Sequence, residues 1–190
     1  YEYARAGIEI VGLDLSPSML AVCRNNLAQE PAETQARIRL IEGDMRDLSI
    51  FPDNSFDLVF HPVSNVFCPE IKSVWKETYR VLRRHGYLLA GFANPVYYLF
   101  GTLLEEQEEL KIRYKIPYSD LDSFSEDELS QYMADGVPFE YGHSLTDQLG
   151  GQIDAGFSII GFYEDICPDS PISEFHPSYI ATRAIKYSKY

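Results

Sequence analysis

Five residues, Phe56-Asp57-Leu58-Val59-Phe60, restrict the fold more than any other stretch. A run so nearly all apolar suits a strand buried on both faces, and such strands belong to parallel sheets covered by helices. Comparable short runs stand at Ile8–Leu13, Ile38–Glu42 and Tyr87–Phe92. Helical patterns separate them. Ser16-Pro17 is an N-cap followed by proline at the first helical position, and apolar residues continue through Met19, Leu20, Val22, Cys23 and Leu27. Glu70–Arg84 carries Ile71, Val74, Trp75, Tyr79, Val81 and Leu82, with basic residues in its last turn and His85-Gly86 as its stop. Strand and helix alternating at this spacing predict an α/β, Rossmann-like, doubly wound, mainly parallel sheet.

The ends of the chain refine that expectation. Tyr1–Gly7 reads as the tail of a helix closed by Gly7. The chain thus begins inside the pattern, and the fold is expected to be N-terminally incomplete, without a first strand and most of a helix. Residues 1–190 are expected to form a single domain. Within it, 95–142 reads as an insertion, with a helix over about Val96–Lys111 and a turn-rich remainder. Its tyrosines, Tyr97, Tyr98, Tyr114, Tyr118, Tyr132 and Tyr141, suit either a lid over a substrate or a small core of their own. Glu105, Glu106, Glu108 and Glu109 read as a solvated helix face. Ser144–Ala155 is a predicted helix, and Phe157–Glu164 and Tyr179–Ile185 are predicted closing strands.

Composition narrows the partners. The 190 residues are 45% apolar, enough for one sizeable core. Acids outnumber bases 29 to 16, a formal charge of −13 that disfavours nucleic acid, whose non-specific binding depends on Lys and Arg. Three scattered cysteines without a CxxC pair suit free thiols in a reducing compartment rather than disulfides or a metal centre. No apolar stretch approaches the ~20 residues that span a bilayer, and no signal peptide opens the chain. The expectation is a cytoplasmic protein with no metal and no membrane partner.

Ligands of a parallel sheet bind beyond the carboxyl ends of its strands. Asp14, Asp44, His61 and Asn94 stand there. A carboxylate can accept from both hydroxyls of a ribose, which suits Asp14. Asp44 can accept from an adenine amine while the Met45 N–H donates to a ring nitrogen, and Met19 can pack on the base. Each also has a plainer role: turn acids for Asp14 and Asp44, core filling for Met19. One adenosine nevertheless accounts for all of them.

The stretches GIEIVGLDLSPSML, IRLIEGDMRDLSIFPDNSFDLVF and WKETYRVLRRHGYLLAGFANP resemble successive motifs of the class I S-adenosylmethionine-dependent methyltransferases, in the small-molecule branch that includes quinone-biosynthesis C-methyltransferases. The likeness is strong over residues 1–95, and the tail resembles the family's closing helix and two strands, the last antiparallel. The resemblance implies S-adenosylmethionine as cofactor and a small-molecule acceptor. It implies Asp14 on the ribose, Leu15, Ser16 and Met19 beside the adenine, Gly43, Asp44 and Met45 reading the adenine edge, and His61 near the methionine end and the substrate entrance. The family's glycine-rich loop, an acid followed by G-x-G after the first strand, is not in this chain; the preferred expectation is that the segment exists and is disordered. Methyl transfer needs mainly alignment, and a base helps when the acceptor must lose a proton. His61 and His143 are the candidates. Two other functions share these features: a non-catalytic methyltransferase-like binding or regulatory module, and a nicotinamide-dependent dehydrogenase, which also sets an acid at a strand end.

Overall fold

A computed structural model describes residues 1–100 and 110–187. The chain divides into two compact units, 1–51 and 52–190.

In the first unit, α1 (Glu2–Arg5) ends at Gly7, whose φ of +96° is a conformation glycine adopts without strain. Strand β1 (Ile10–Asp14) leads to α2 (Pro17–Leu27), then α3 (Ala32–Ala36) and β2 (Ile38–Glu42). The strand β2 and the Ser16-Pro17 helix start lie where the sequence places them; β1 starts two residues late, and α3 was not foreseen. β1 and β2 run parallel with Asp14 opposite Glu42. Gly12 and Gly43 permit this close approach: a Cβ on either would lie 2.9 Å and 2.8 Å from leucine side-chain carbons.

The second unit is built on a four-stranded sheet in the order β3 (Phe56–Pro62), β4 (Leu82–Ala93), β8 (Tyr179–Ile185), β7 (Ser158–Asp165). β3 and β4 are parallel, and β8 runs antiparallel to both its neighbours, the reversed last strand that the family resemblance implies. One face carries Leu88, Ala90, Phe92, Ile180 and Ala184, all buried. Against that core stand α4 (Lys72–Val81) and α7 (Gly151–Ala155), the latter entered through a π-helical turn at Thr146–Gly150. The π-helical turn and α7 run on from each other and together span most of the predicted helix over Ser144–Ala155.

α4 is shorter than its predicted Glu70–Arg84. At its start the Glu70 carboxylate accepts from the Ser73 N–H at 3.2 Å and Ser73 Oγ at 2.6 Å. At its end the carbonyls of Arg80 and Val81 accept from the N–H groups of Asn54 and Ser55. The Lys186 ammonium donates to the carbonyls of Tyr79 and Leu82, both at 2.7 Å. Those partners stop the helix before Leu82. Three extra residues then bulge out of β4, since Phe56 pairs with Leu82 but Leu58 with Tyr87, and His85 lies there at φ +63°.

The stretch after β4 holds a 3-10 turn at Pro95–Leu99, the short strands β5 (Tyr118–Ser119) and β6 (Tyr141–Gly142), and helices α5 (Asp120–Ser123) and α6 (Glu126–Asp135). Most of the predicted Val96–Lys111 helix, with Glu105, Glu106, Glu108 and Glu109, lies outside the described residues. Tyr98 and Tyr118 stack at 5.3 Å and are buried with Val66, while Tyr97 and Tyr114 pack against them. These four of the six tyrosines pack together in a small core.

Trp75 has no solvent exposure, and a Cβ on Gly151 would lie 2.6 Å from its Cδ1. Gly151→Ala is therefore expected to lower stability by about 1–3 kcal/mol, the range for overpacking a core. Urea unfolding should show an earlier midpoint at an unchanged slope.

Candidate functional site

The predicted nucleoside residues all belong to the first unit. Asp14 closes β1, and its main-chain carbonyl accepts from the Gly43 N–H at 3.1 Å, which sets the ends of β1 and β2 side by side. Its Oδ1 accepts from the Ser16 N–H at 2.8 Å, and Oδ2 has no partner among the described residues. Ser16 Oγ caps α2 by accepting from the Met19 N–H at 3.3 Å. Leu15 and Met19 are 65% and 52% exposed, so two apolar side chains face solvent beside an accepting carboxylate.

Asp44 is differently occupied. Arg46 Nη2 donates to its Oδ2 at 2.6 Å, Arg46 Nε lies 3.0–3.1 Å from both oxygens, and the Arg46 N–H donates to Oδ1 at 2.8 Å. The guanidinium holds the Asp44 carboxyl below its usual range. The loop that follows β2 thus supplies its own cation to the acid that the sequence reading reserves for an adenine. Met45, between them, is half-buried.

His61 and His143 belong to the second unit and are both buried. His143 Nε2 lies 2.8 Å from the Cys68 carbonyl and 3.1 Å from that of Asn65. Carbonyls only accept, so this nitrogen carries the proton and pins the 3-10 turn at Ser64–Phe67. Asn94 caps the turn at Pro95–Leu99 by accepting from the Val96 N–H at 3.2 Å.

His61 stands near the carboxyl end of β3. Its ring meets Trp75 edge-on at 5.7 Å, and its Nε2 lies 2.7 Å from Asn65 Oδ1. Asn65 Nδ2 donates to Gln148 Oε1 at 2.7 Å, Gln152 Nε2 donates to the Gln148 carbonyl at 3.1 Å, and the Thr182 hydroxyl donates to Gln152 Oε1 at 3.0 Å. All four partners are buried, Asn65 and Gln152 completely. Two residues beyond His61, Val63 adopts φ +48°, a strained backbone for a β-branched residue, and strain of this sort gathers at functional sites.

The relay residues Asn65, Gln148, Gln152 and Thr182 were not anticipated. Asn65 and Gln148 are 83 residues apart, and no spacing rule connects them. An apolar trough of about 530 Å³, lined by Phe60, Pro62, Leu89, Gly91, Tyr163 and Arg183 among others, lies on the opposite face of the sheet, because successive strand side chains alternate. Among the described residues there is no cluster of metal-ligating side chains, and no helix is long and apolar enough to cross a membrane.

Burial lowers the His61 pKa from 6.5, and the Asn65 bond opposes the shift only in part. Above the unfolded-state value both states are neutral and stability does not change with this group. As pH falls through ~6.5 the unfolded chain binds the proton first, so stability drops by up to about 1.4 kcal/mol per pH unit until the lower native pKa is reached. Urea unfolding at pH 7.5, 6.5 and 5.5 should show this slope, and His61→Gln should flatten it.

Residues 1–90 match a family model described as a methyltransferase domain. The chain is 43% identical over 183 residues to the uncharacterized methyltransferase YbaJ of Bacillus subtilis, covering 96% of this chain and 70% of that protein. It is 30% identical over 105 residues to a demethylmenaquinone methyltransferase of a Geobacillus strain, covering 50% of this chain and 43% of that one. Among solved structures, an S-adenosylmethionine-dependent methyltransferase from Mesorhizobium loti superposes with a TM-score of 0.66 at 20% identity, over 93% of this chain and 79% of the other.

Proposed function

The chain belongs to the class I S-adenosylmethionine-dependent methyltransferases, and we propose that it transfers a methyl group from S-adenosylmethionine to a small-molecule acceptor. One observation carries the assignment of the nucleoside end: Asp14, with one carboxylate oxygen that has no partner among the described residues, stands beside exposed Leu15 and Met19 at the paired ends of β1 and β2. Apolar surface left in water beside a hydrogen-bond acceptor suits a flat base joined to a sugar diol. Asp14 accepts from the ribose hydroxyls, Leu15 and Met19 cover the base, and Ser16 fixes the turn that aims Asp14. The Met45 N–H and Asp44 read the adenine edge, for which the Asp44 carboxylate must share or release Arg46. The cofactor, when bound, supplies a methyl group already activated on a sulfonium. The protein's part is then to bind, align and keep water out.

Asp14→Ala should weaken S-adenosylmethionine binding by about 10- to 100-fold, the ~1.5–3 kcal/mol of hydrogen bonds to a charged group. Isothermal titration calorimetry measures this, with a parallel titration of NAD as the control for a dehydrogenase. Binding of NAD in place of S-adenosylmethionine, or an undiminished affinity in Asp14→Ala, would count against the assignment.

A further inference from the structure

We propose that Arg46 is a latch on the adenine-reading acid: its guanidinium occupies the acceptors of Asp44 as a ligand built into the chain, and an adenosine cofactor binds by displacing it. The inference rests on the methyl-transfer reading above and deepens it by assigning a regulation to the nucleoside end.

The two compete because the acceptors are full. Each oxygen of a carboxylate offers about two lone pairs. Asp44 Oδ1 accepts from the Arg46 main-chain N–H at 2.8 Å and from Nε at 3.1 Å. Its Oδ2 accepts from Nη2 at 2.6 Å and shares Nε at 3.0 Å. An amine arriving at this carboxylate finds those positions taken. The guanidinium also imitates what it excludes. It is a planar group with its N–H donors in the plane, as is the amine-bearing edge of adenine. One side chain thus offers the acid the same kind of bond that the base would make.

The latch can open because only part of it is fixed. The Arg46 main-chain bond to Oδ1 and the Asp47 N–H bond to the Asp44 carbonyl, at 3.0 Å, belong to the loop itself. An aspartate held this way by the backbone two residues on keeps its aim whether or not a side chain sits on it. The guanidinium and the carboxylate stand partly in water, with side-chain exposures of 42% and 30%. Such an ion pair contributes little, and salt weakens it further.

The two acids of the site differ in this respect. Asp14 Oδ1 accepts from the Ser16 N–H at 2.8 Å, and no cation pairs with Asp14 among the described residues. Its main-chain carbonyl accepts from the Gly43 N–H at 3.1 Å, so the acid for the sugar and the loop for the base are neighbours on one strand pair. The sugar's acid stands ready, and the base's acid is held. Arg46 therefore acts on recognition of the base, and it lowers affinity for the cofactor with or without its methyl group.

Isothermal titration calorimetry on the full chain tests this with S-adenosylhomocysteine, the cofactor without its methyl group. That probe has no net charge, which separates the latch from the general attraction of a chain of charge −13 for a cation. Arg46→Ala should bind it about 2- to 5-fold more tightly at low salt, the range that an exposed ion pair allows. Arg46→Lys, which keeps the charge and loses the fork, should fall between the two. Affinity of the unaltered chain should rise from about 20 to about 500 mM sodium chloride as screening loosens the pair, and that of Arg46→Ala should stay level. With ¹⁵N-labelled arginine, NMR should show the Arg46 Nε–H exchanging with water faster once the probe is added. Equal or weaker binding by Arg46→Ala, or an Nε–H exchange that the probe leaves unchanged, overturns the latch and leaves the methyl-transfer reading standing. No binding by the unaltered chain, of this probe or of S-adenosylmethionine, overturns both.

Discussion

The burial of Trp75 is the constraint on which the second unit depends. Its indole N–H donates to the Asp147 carbonyl at 3.0 Å, its ring edge leaves no room for a side chain at Gly151, and its ring meets His61 in a T-shaped contact. One residue of α4 thereby locates the π-helical turn, the start of α7 and the end of β3. Fully burying a large aromatic contributes a few kcal/mol, and it also dehydrates everything packed on it. The polar groups enclosed beside it, Asn65, Gln148 and Gln152, need protein partners because water no longer serves them.

That enclosure explains the difference between the polar groups of the two units. In the first unit Asp14 and Asp44 stand at solvent, where a carboxylate is stable with or without a partner, and Arg46 can pair with Asp44 or leave it at little cost. Exposed ion pairs contribute about 0–1 kcal/mol. In the second unit the Asn65 amide is matched to the Gln148 side chain, and the Gln152 amide to the Gln148 main-chain carbonyl and the Thr182 hydroxyl. A reversal there would set two oxygens or two N–H groups against each other and cost about 1–3 kcal/mol for each unsatisfied group. The first arrangement is adaptable, and the second is fixed before any ligand arrives.

The same distinction governs what the sequence discloses. β2 and β8 could be read to the residue, because apolar β-branched runs between turn signals are local statements. So could the Ser16-Pro17 start of α2 and the acid that ends β1. The end of α4 could not. Nothing from Val81 to Arg84 breaks a helix; the break comes from Lys186, more than a hundred residues downstream, and from Asn54 and Ser55. Helix α6 was legible and passed over, since Ser125 and Glu128 form a capping box at the spacing that marks a helix start. The pairing of Asp44 with Arg46 lay within three residues but needed a loop conformation that sequence does not give. The bonds from His61 to Thr182 join three separate stretches of the chain, 61–65, 148–152 and 182, and left no local trace.

Buried amides are a costly way to fill a core. Leucine or methionine at positions 148 and 152 would add apolar contact and remove the need for aligned partners, and such replacements of buried polar groups are often neutral or stabilising. What an apolar core cannot do is tell the two nitrogens of an imidazole apart. Asn65 can, because its oxygen and its nitrogen make opposite demands, and its nitrogen is the one turned to Gln148. Val63, at φ +48°, opens the turn that brings Asn65 Oδ1 to within 2.7 Å of His61 Nε2. The sequence of causes thus runs from a dehydrated tryptophan, through amides that must be matched, to the histidine packed beside them.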